Sequence, residues 1–172
     1  MKYTLDTNIL VYAADRSFPL HAQAVEIRDR AAAERETVCL CFPVLLEFFA
    51  VITDPSHVRH PLSTEEAWQE VNVYLNAFRM LYPNEGTWRR LSDLLMRYRI
   101  ARQGVFDALI VALMLQHGVT GIYTANRRDF ARFSEVECFP GRNRGLYKAR
   151  FIPHRMPTVD RGIISLPWPG IS

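Results

Sequence analysis

The residues from Val105 to Gln116 form a nearly unbroken apolar segment whose one charged side chain is Asp107. Its length and composition predict a helix, and Gly118 supplies a natural C-terminal stop. A helix that is apolar all round is usually buried on all sides, so the chain must build a domain around this one. Because a buried, unpaired carboxylate costs several kcal/mol, Asp107 needs a compensating partner.

Short apolar runs alternate with helical patterns along residues 1–140. The predicted strands cover residues 3–5, 37–41, 79–82, 121–124 and 136–139. The predicted helices cover residues 8–14, 19–36, 43–51, 64–77, 86–100, 105–116 and 127–133. Strands that alternate with helices favour a three-layer α/β sandwich around a parallel sheet. In the helix over 86–100, the apolar side is expected to carry Trp88, Leu91, Leu95 and Met96.

The character of the chain changes after residue 140. Residues 141–172 hold six of the 21 Lys+Arg and one of the 18 Asp+Glu, with four of the eight glycines and four of the ten prolines. We interpret residues 1–140 as one domain and residues 141–172 as a basic, Pro/Gly-rich C-terminal tail. Apolar residues near its end suggest that it docks on an apolar surface: Ile163, Ile164, Leu166 and Trp168. The alternative is a solvated appendage that adds only solubility.

Several classes of protein are disfavoured by composition. Lysine occurs only at Lys2 and Lys148, which excludes a P-loop or a Schiff-base enzyme with a central lysine. The three cysteines do not make a disulfide framework, and Cys39 and Cys41 are expected in the core. With no signal-peptide pattern and no run of about 18 apolar residues, the chain is expected to be cytoplasmic and to make no membrane contact.

Three acids stand alone in apolar surroundings. Asp6 ends the first strand, Glu47 lies in the helix after the second, and Asp107 lies in the apolar helix. Each has an ordinary explanation: Asp6 could cap a helix, Glu47 could lie on an exposed stripe, and Asp107 could pair with a buried arginine. In a parallel sheet, however, ligands bind at the carboxyl ends of the strands. These acids and the segment 124–130 can converge at that edge.

Carboxylates that converge repel one another, and a hard divalent cation removes the repulsion. Mg²⁺ prefers oxygen ligands and keeps several waters. Such a site suits metal-assisted hydrolysis, because the cation polarises a phosphoryl group and lowers the pKa of a bound water. The five histidines are scattered and form no zinc spacing.

The motifs around these acids resemble those of PIN-domain ribonucleases, and more narrowly those of VapC-type toxins of prokaryotic toxin–antitoxin pairs. The matching segments are Leu5-Asp6-Thr7-Asn8-Ile9-Leu10, Leu46-Glu47-Phe48, Phe106-Asp107-Ala108-Leu109-Ile110-Val111-Ala112 and Tyr123-Thr124-Ala125-Asn126-Arg127-Arg128-Asp129-Phe130. The loop 52–55 followed by 61–63 also looks like that group. The resemblance covers residues 1–140, and its specificity lies in the order and spacing of the motifs.

The resemblance implies a five-stranded parallel sheet in the order 3-2-1-4-5 and an endoribonuclease that uses Mg²⁺ or Mn²⁺. It also implies a homodimer that a cognate VapB-type antitoxin neutralises, with RNA, transfer RNA included, as the substrate. By motif position, Asp6 and Asp107 would be the main metal ligands and Glu47 would complete the acid cluster. Thr7 and Thr124 would brace the cluster, and Asn8 would orient Asp6 or start the helix.

The sequence departs from the family at one position. Many members carry an aspartate two residues after the threonine that corresponds to Thr124, and here that residue is Asn126. Either Asp129 fills the fourth position, or the site has three acids and an amide. Arginines would guide the RNA strand. The candidates are Arg16, Arg127, Arg128, Arg142, Arg144, Lys148 and Arg150.

Two other functions compete with this hypothesis. A haloacid-dehalogenase-like phosphatase would place a second aspartate at position 8 and a lysine in the body, and this chain has Asn8 and neither lysine near a predicted strand end. A non-catalytic RNA- or partner-binding module of the same fold is the other alternative, and Asn126 is its best argument.

Overall fold

The computed structural model describes residues 2–34 and 36–139. Its strands are β1 (Tyr3–Leu5), β2 (Val38–Cys41), β3 (Arg79–Leu81), β4 (Gly121–Tyr123) and β5 (Glu137–Phe139). Its helices are α1 (Thr7–Ala14), α2 (His21–Ala33), α3 (Phe42–Thr53), α4 (Thr64–Ala77), α5 (Glu85–Tyr98), α6 (Gly104–Gln116) and α7 (Arg127–Phe130). Every predicted strand and helix over residues 1–139 is present, with ends that differ by up to three residues. The predicted tail, residues 141–172, lies outside the described residues.

The five strands form one parallel sheet in the order β3-β2-β1-β4-β5, which confirms the predicted fold and strand order. The chain moves outward from β1 to β3, then returns past β1 to β4 and β5. Because crossovers between parallel strands are right-handed, this reversal places α1–α4 on one face of the sheet and α5–α7 on the other. The carboxyl ends of β1 and β4 therefore lie side by side, at the point where the strand order reverses.

The core fills both sides of the sheet. Apolar side chains of β1, β2 and β4 are almost fully buried, among them Leu5, Leu40 and Ile122. Cys39 and Cys41 are buried free thiols, as predicted, and the Cys41 Sγ lies 4.0 Å from the carbonyl oxygen of Ile110 in α6. The central helix is therefore held directly against the sheet.

Helix α6 is buried over most of its length, as its composition predicts. Residues 110–114 and Ala108 are buried, but Phe106 in the first turn is 61% exposed. The N-terminal turn of α6 thus projects from the core beside Asp107. Among the described residues, no helix combines the length and apolar composition needed to span a bilayer.

The predicted inner side of α5 is correct for Leu91, which is buried, and for Leu95, which packs against the core, but it is wrong for Trp88 and Met96. Trp88 and Met96 are 64% and 74% exposed, whereas Thr87, Leu91 and Leu94 are buried. Thr87 is a buried polar residue that completes a capping box with Asn84, whose side chain accepts from the Thr87 N–H at 3.2 Å. With Thr87, Leu91 and Leu94 on the inner side, Trp88 and Met96 face outward. A capping box of Ser63 and Glu66 opens α4, the helix predicted over residues 64–77.

Candidate active site

Asp6 follows β1 directly and is the N-cap of α1, with extended backbone angles of φ −82° and ψ 156°. It is 7% exposed. One carboxylate oxygen accepts from the Thr7 N–H at 2.8 Å, and the other accepts from the Thr124 hydroxyl at 2.6 Å and from the Asn8 amide at 2.5 Å. The helix-cap explanation of Asp6 is therefore correct, and the same contacts fix its carboxylate at the carboxyl edge of the sheet.

Asn8 joins the ends of β1 and β4. Its side-chain nitrogen donates to Asp6 and, at 3.2 Å, to the Thr124 hydroxyl, while its carbonyl oxygen accepts from the Ala125 N–H at 3.0 Å. The Thr124 hydroxyl also accepts from the Asn126 N–H at 2.9 Å. Asn8 thus does more than start α1, because it locks Asp6 to the loop after the neighbouring strand.

Glu47 lies one turn into α3 and is exposed, together with its neighbour Leu46, which is 52% exposed. The exposed-stripe explanation is correct for this part of α3. The carboxylate is nevertheless held, because Glu47 Oε2 accepts from the Thr7 hydroxyl at 2.6 Å. Thr7 therefore braces Glu47, while its backbone N–H braces Asp6.

Asp107 is half-buried in the first turn of α6. Arg132 is close enough for its charge to lower the pKa of Asp107, yet Arg132 is exposed and no ion pair joins the two among the described residues. Asp107 is therefore not paired with a buried arginine. Its nearest charged neighbours include two other acids, Asp129 and Glu47.

The two candidates for the fourth position, Asn126 and Asp129, are hydrogen-bonded to each other. The Asn126 side-chain nitrogen donates to Asp129 Oδ2, and α7 places Asp129 where its charge acts on Asp107. Asp129 is half-buried, whereas Asn126 is exposed. The geometry favours Asp129 as the fourth acid, with Asn126 holding it. We refer to Asp6, Glu47, Asp107 and Asp129 as the acid cluster.

Two members of the acid cluster, Asp6 and Asp107, have carboxyl groups whose pKa is raised. Burial raises the pKa of Asp6 from 3.8 to about 7, the charges of Glu47 and Asp107 add to the rise, and hydrogen bonds from Thr124 and Thr7 oppose it. Burial, followed by the charges of Asp129 and Glu47, raises the pKa of Asp107 from 3.8 to about 6. These carboxylates repel one another at the edge of the sheet, so a cation bound among them would be stabilised.

The donor set fits a hydrated magnesium ion better than a closed metal cage. Within residues 2–34 and 36–139, no three acidic, histidine or cysteine side chains stand close enough to enclose a metal ion. Both oxygens of Asp6 are already hydrogen-bonded. Mg²⁺ is commonly held by one or two carboxylates and keeps several waters. Asp6 and Asp107 can supply the direct ligands, with Glu47 and Asp129 acting through water.

Sequence reasoning missed residues that border the acid cluster. Arg132 is not among the arginines predicted to guide RNA, although its charge reaches Asp107. Leu46 and Phe106 immediately precede Glu47 and Asp107, and both are exposed. Their adjacency to isolated acids is the one signal that could have identified them. Of the predicted arginines, Arg16, Arg127 and Arg128 are exposed, and the four basic residues of the tail lie outside the described residues.

Known proteins resemble this chain in both sequence and fold. VapC48, a ribonuclease of Mycobacterium tuberculosis, is 32% identical over 143 residues, which cover 79% of this chain and 94% of VapC48. The solved structure of VapBC2 from Rickettsia felis, bound to a DNA fragment from its promoter, has a TM-score of 0.60 at 18% identity and covers 81% of this chain and 98% of that chain. VapC20 of M. tuberculosis, a toxin that cleaves the sarcin-ricin loop, has a TM-score of 0.59 at 16% identity, covering 77% and 95%.

The family model for the PIN domain matches residues 3–136, which hold the entire acid cluster. The PIN match covers more than half of the chain, and VapC48 is more than 30% identical over 79% of it. This chain therefore belongs to the PIN-domain family, among the VapC ribonucleases.

Proposed function

We propose that this chain is a metal-dependent endoribonuclease and the toxin of a toxin–antitoxin pair. The observation that carries the proposal is the acid cluster, four carboxylates from four separate segments gathered at one sheet edge. Its relatives are named ribonucleases, which supports the proposed nuclease activity. Mg²⁺ is the proposed cation and Mn²⁺ an alternative, because the available ligands are oxygens.

The reaction is hydrolysis of an RNA phosphodiester. A bound cation would lower the pKa of a water and offset the negative charge that develops on the phosphoryl oxygens. Asp6 and Asp107 would hold that cation, and Thr124 with Asn8 keeps Asp6 in place. The exposed carboxylate of Glu47 accepts the proton of the attacking water. The oxygen of that water bonds to phosphorus, the P–O3′ bond breaks, and the products are a 3′-hydroxyl, which takes up a proton, and a 5′-phosphate.

Arginines around the acid cluster would guide the RNA. An acidic site repels phosphates, so cations must flank it. Arg16, Arg127, Arg128 and Arg132 are exposed, and the tail adds further basic residues. Structured RNAs, transfer RNA included, are the proposed substrates, because RNA-binding proteins recognise shape and single-stranded loops. Such a substrate places the action of the protein in the cytoplasm.

An exposed apolar surface beside Glu47 fits an antitoxin. Leu46 and Trp68 are each 52% exposed, and the ring of Phe49 lies between α3 and α4 with its centroid 6.4 Å from that of Trp68. Exposed apolar side chains that cluster mark interaction sites. We propose that a VapB-type antitoxin covers this surface and thereby the acid cluster, in keeping with the toxin–antitoxin complexes among the structural neighbours.

The outer face of α5 is the proposed homodimer contact. Trp88 and Met96 lie two turns apart and project on the same side of this helix. A second copy would bury both side chains in a symmetric interface, since closed twofold dimers are the commonest assemblies.

The decisive experiment incubates the purified chain with a panel of structured RNAs and sequences the new 5′ ends. We expect cleavage with Mg²⁺ or Mn²⁺, none with EDTA, and none for the double variant Asp6→Asn/Asp107→Asn. Asp93→Asn, an exposed aspartate on α5, is the matched control and should retain full activity. Activity that survives EDTA or the double substitution contradicts the proposal.

A non-catalytic RNA-binding module is the second candidate, because Asn126 stands where an acid is expected. It predicts that RNA binding survives EDTA and that no new 5′ ends form. The same experiment, with a filter-binding measurement beside it, separates the two candidates.

A further inference from the structure

Phe106 is an exposed aromatic residue in a helix whose other large side chains mostly face the core. It is 61% exposed, whereas Ala108 and residues 110–114 of α6 are buried. Its backbone N–H donates to the carbonyl oxygen of Gln103 at 3.1 Å, which holds it in the first turn of α6 immediately before Asp107. Single exposed apolar side chains are common on protein surfaces, so the surroundings of Phe106 decide what its ring can do.

Three exposed arginines lie around the start of α6. Arg99 and Arg102 belong to the connection between α5 and α6, and Arg132 follows α7. A Cβ at Gly104, the first residue of α6, would stand 3.0 Å from Ile100 Cγ2 and 3.6 Å from Arg132 Nη1, so the connection and the Arg132 guanidinium both lie against it. Within residues 2–34 and 36–139, no ion pair joins any of the three arginines to an acid. We call Arg99, Arg102 and Arg132 the basic rim.

Two members of the basic rim have a backbone conformation that favours glycine. The φ angle is 49° at Arg99 and 57° at Arg102, in the left-handed region where a residue with a Cβ is disfavoured. Both side chains are exposed, so the core gains nothing from them that would offset this cost. Glycine at either position would suit the fold better, which indicates that the two guanidinium groups serve a ligand outside the chain.

Arg132 is carried by a firmly held segment at the border of the acid cluster. Phe130 and Phe133, on either side of it, are each 1% exposed, and the ring of Phe133 packs edge-on against that of Tyr98 with the centroids 5.3 Å apart. The charge of Arg132 reaches Asp107, the residue next to Phe106. The basic rim is therefore continuous with the candidate active site.

An aromatic ring with arginines around it has the chemistry to bind unpaired nucleotides. Unpaired bases stack on aromatic side chains while cations beside them hold the phosphates, whereas the bases of a duplex are stacked on one another. We propose that Phe106 stacks on an unpaired base next to the scissile phosphodiester, while the basic rim binds the flanking phosphates. This inference rests on the proposed ribonuclease function and narrows its substrate to single-stranded segments of RNA.

The charge of this surface argues against a second copy of the chain as the occupant of Phe106. In a twofold contact centred on the ring, the basic rim of one copy would face the basic rim of the other, and like charges repel. RNA instead brings a negative charge with every nucleotide, so the same arginines favour it.

RNA binding by the full-length chain tests the stacking. Asp6→Asn/Asp107→Asn is the background, because it should bind RNA without cleaving it, and the probe is a fluorescently labelled, unstructured single-stranded RNA. Adding Phe106→Leu, which keeps an apolar side chain but removes the ring, should weaken binding by about 5- to 100-fold in fluorescence anisotropy. Phe106→Trp should bind as tightly as the background. The duplex form of the probe should bind less tightly, and its affinity should not depend on Phe106.

A Phe106→Leu variant with the RNA affinity of the background overturns the proposal, and so does an equal loss of affinity for the duplex. A lower mass of Phe106→Leu by light scattering, with its RNA affinity unchanged, also overturns it, because a second copy would then be the occupant.

The salt dependence of the same binding tests the basic rim. Each phosphate contact with a single strand contributes about 0.7 to the slope of log K against log salt concentration, so Arg99→Gly/Arg102→Gly should reduce the slope by about 1.4. The same variant should not lower the Tm, because glycine suits both backbone conformations. Arg89→Ala/Arg90→Ala, at two exposed positions near the start of α5, removes the same charge and should leave the slope unchanged. Equal slopes for the two variants contradict the role of the basic rim.

The outcomes separate this inference from the proposed function. Cleavage by the wild type together with unchanged binding by Phe106→Leu overturns the inference alone. Absence of cleavage by the wild type, together with single-strand binding that depends on Phe106, overturns the nuclease activity and leaves the binding site for unpaired RNA in place.

Discussion

Replacing Asp6 by asparagine should change the stability of the metal-free protein in opposite directions at low and high pH. The pKa of Asp6 is raised from 3.8 to about 7 in the folded state, first by burial and then by the charges of Glu47 and Asp107. The folded state therefore binds this proton more tightly than the unfolded state does. Stability is consequently lost as the pH rises from about 4 to about 7, and the whole penalty is present above pH 7.

The size of the effect follows from the two pKa values. At about 1.36 kcal/mol for each tenfold change in proton affinity, the rise from 3.8 to about 7 amounts to ~4 kcal/mol. Asparagine avoids this penalty because it carries no charge. Its amide nitrogen, however, would face the Asn8 nitrogen that now donates to Asp6, which costs ~1–2 kcal/mol in unsatisfied hydrogen bonding. We expect Asp6→Asn to be ~2–3 kcal/mol more stable than the wild type at pH 8 and ~1–2 kcal/mol less stable at pH 4.

Urea unfolding in EDTA, followed by tryptophan fluorescence from pH 4 to pH 8.5, measures this difference. Asp93→Asn is the control, because Asp93 is exposed on α5 and its substitution should give a pH-independent difference near zero. A difference between Asp6→Asn and the wild type that does not change with pH would refute the reasoning. So would a difference that grows more destabilising as the pH rises.

The remaining predictions concern the metal, the hydrogen-bond network and the assembly. Mg²⁺ or Mn²⁺ at a hundredfold excess over Kd should raise the Tm of the wild type by about 5–10 °C and leave the Tm of Asp6→Asn/Asp107→Asn unchanged. Differential scanning fluorimetry measures both values, and equal Tm shifts in the two proteins would exclude Asp6 and Asp107 as the metal ligands. Asn8→Ala removes the hydrogen bonds that join Asp6 to the loop after β4. It should weaken Mn²⁺ binding and ribonuclease activity by about 10- to 100-fold and leave the far-UV circular dichroism spectrum unchanged. A Mn²⁺ affinity equal to that of the wild type would show that Asn8 does not position Asp6. Trp88→Lys/Met96→Lys should give a monomer by light scattering if α5 forms the homodimer, whereas Trp68→Lys should not, and a dimer in both variants would locate the interface elsewhere.

Most of the fold could be predicted from the sequence because its local signals agree with one another. The buried strands are short apolar runs, α4 opens with Ser63 and Glu66, and α6 is apolar almost throughout. The inner side of α5 could be predicted only in part, because Leu91 and Leu95 lie inward whereas Trp88 and Met96 do not. The buried side includes Thr87, a polar residue that apolar spacing does not identify and whose hydroxyl and N–H are both hydrogen-bonded to Asn84.

The candidate site could likewise be predicted only in part from the sequence. Isolated acids in apolar segments are visible in the sequence, so Asp6, Glu47 and Asp107 can be proposed from the order of residues alone. The hydrogen-bond partner of Asp129 cannot be predicted in this way. It depends on how the short helix α7 follows β4 and brings Asn126 against the Asp129 carboxylate. The exposure of Leu46 and Phe106 depends likewise on where neighbouring helices stop covering α3 and α6.

Asp6 links the fold to the candidate site, because one carboxylate serves two structural purposes. It caps α1 through Thr7 and lies at the centre of the acid cluster through Thr124 and Asn8. The donors that hold it lower its pKa, yet burial outweighs them and raises that pKa to about 7. A residue selected only as a cap would sit in solvent, where the charge is free of this penalty. The penalty is relieved if a cation neutralises the cluster, so a carboxylate that destabilises the metal-free chain at neutral pH is also one on which metal binding should depend.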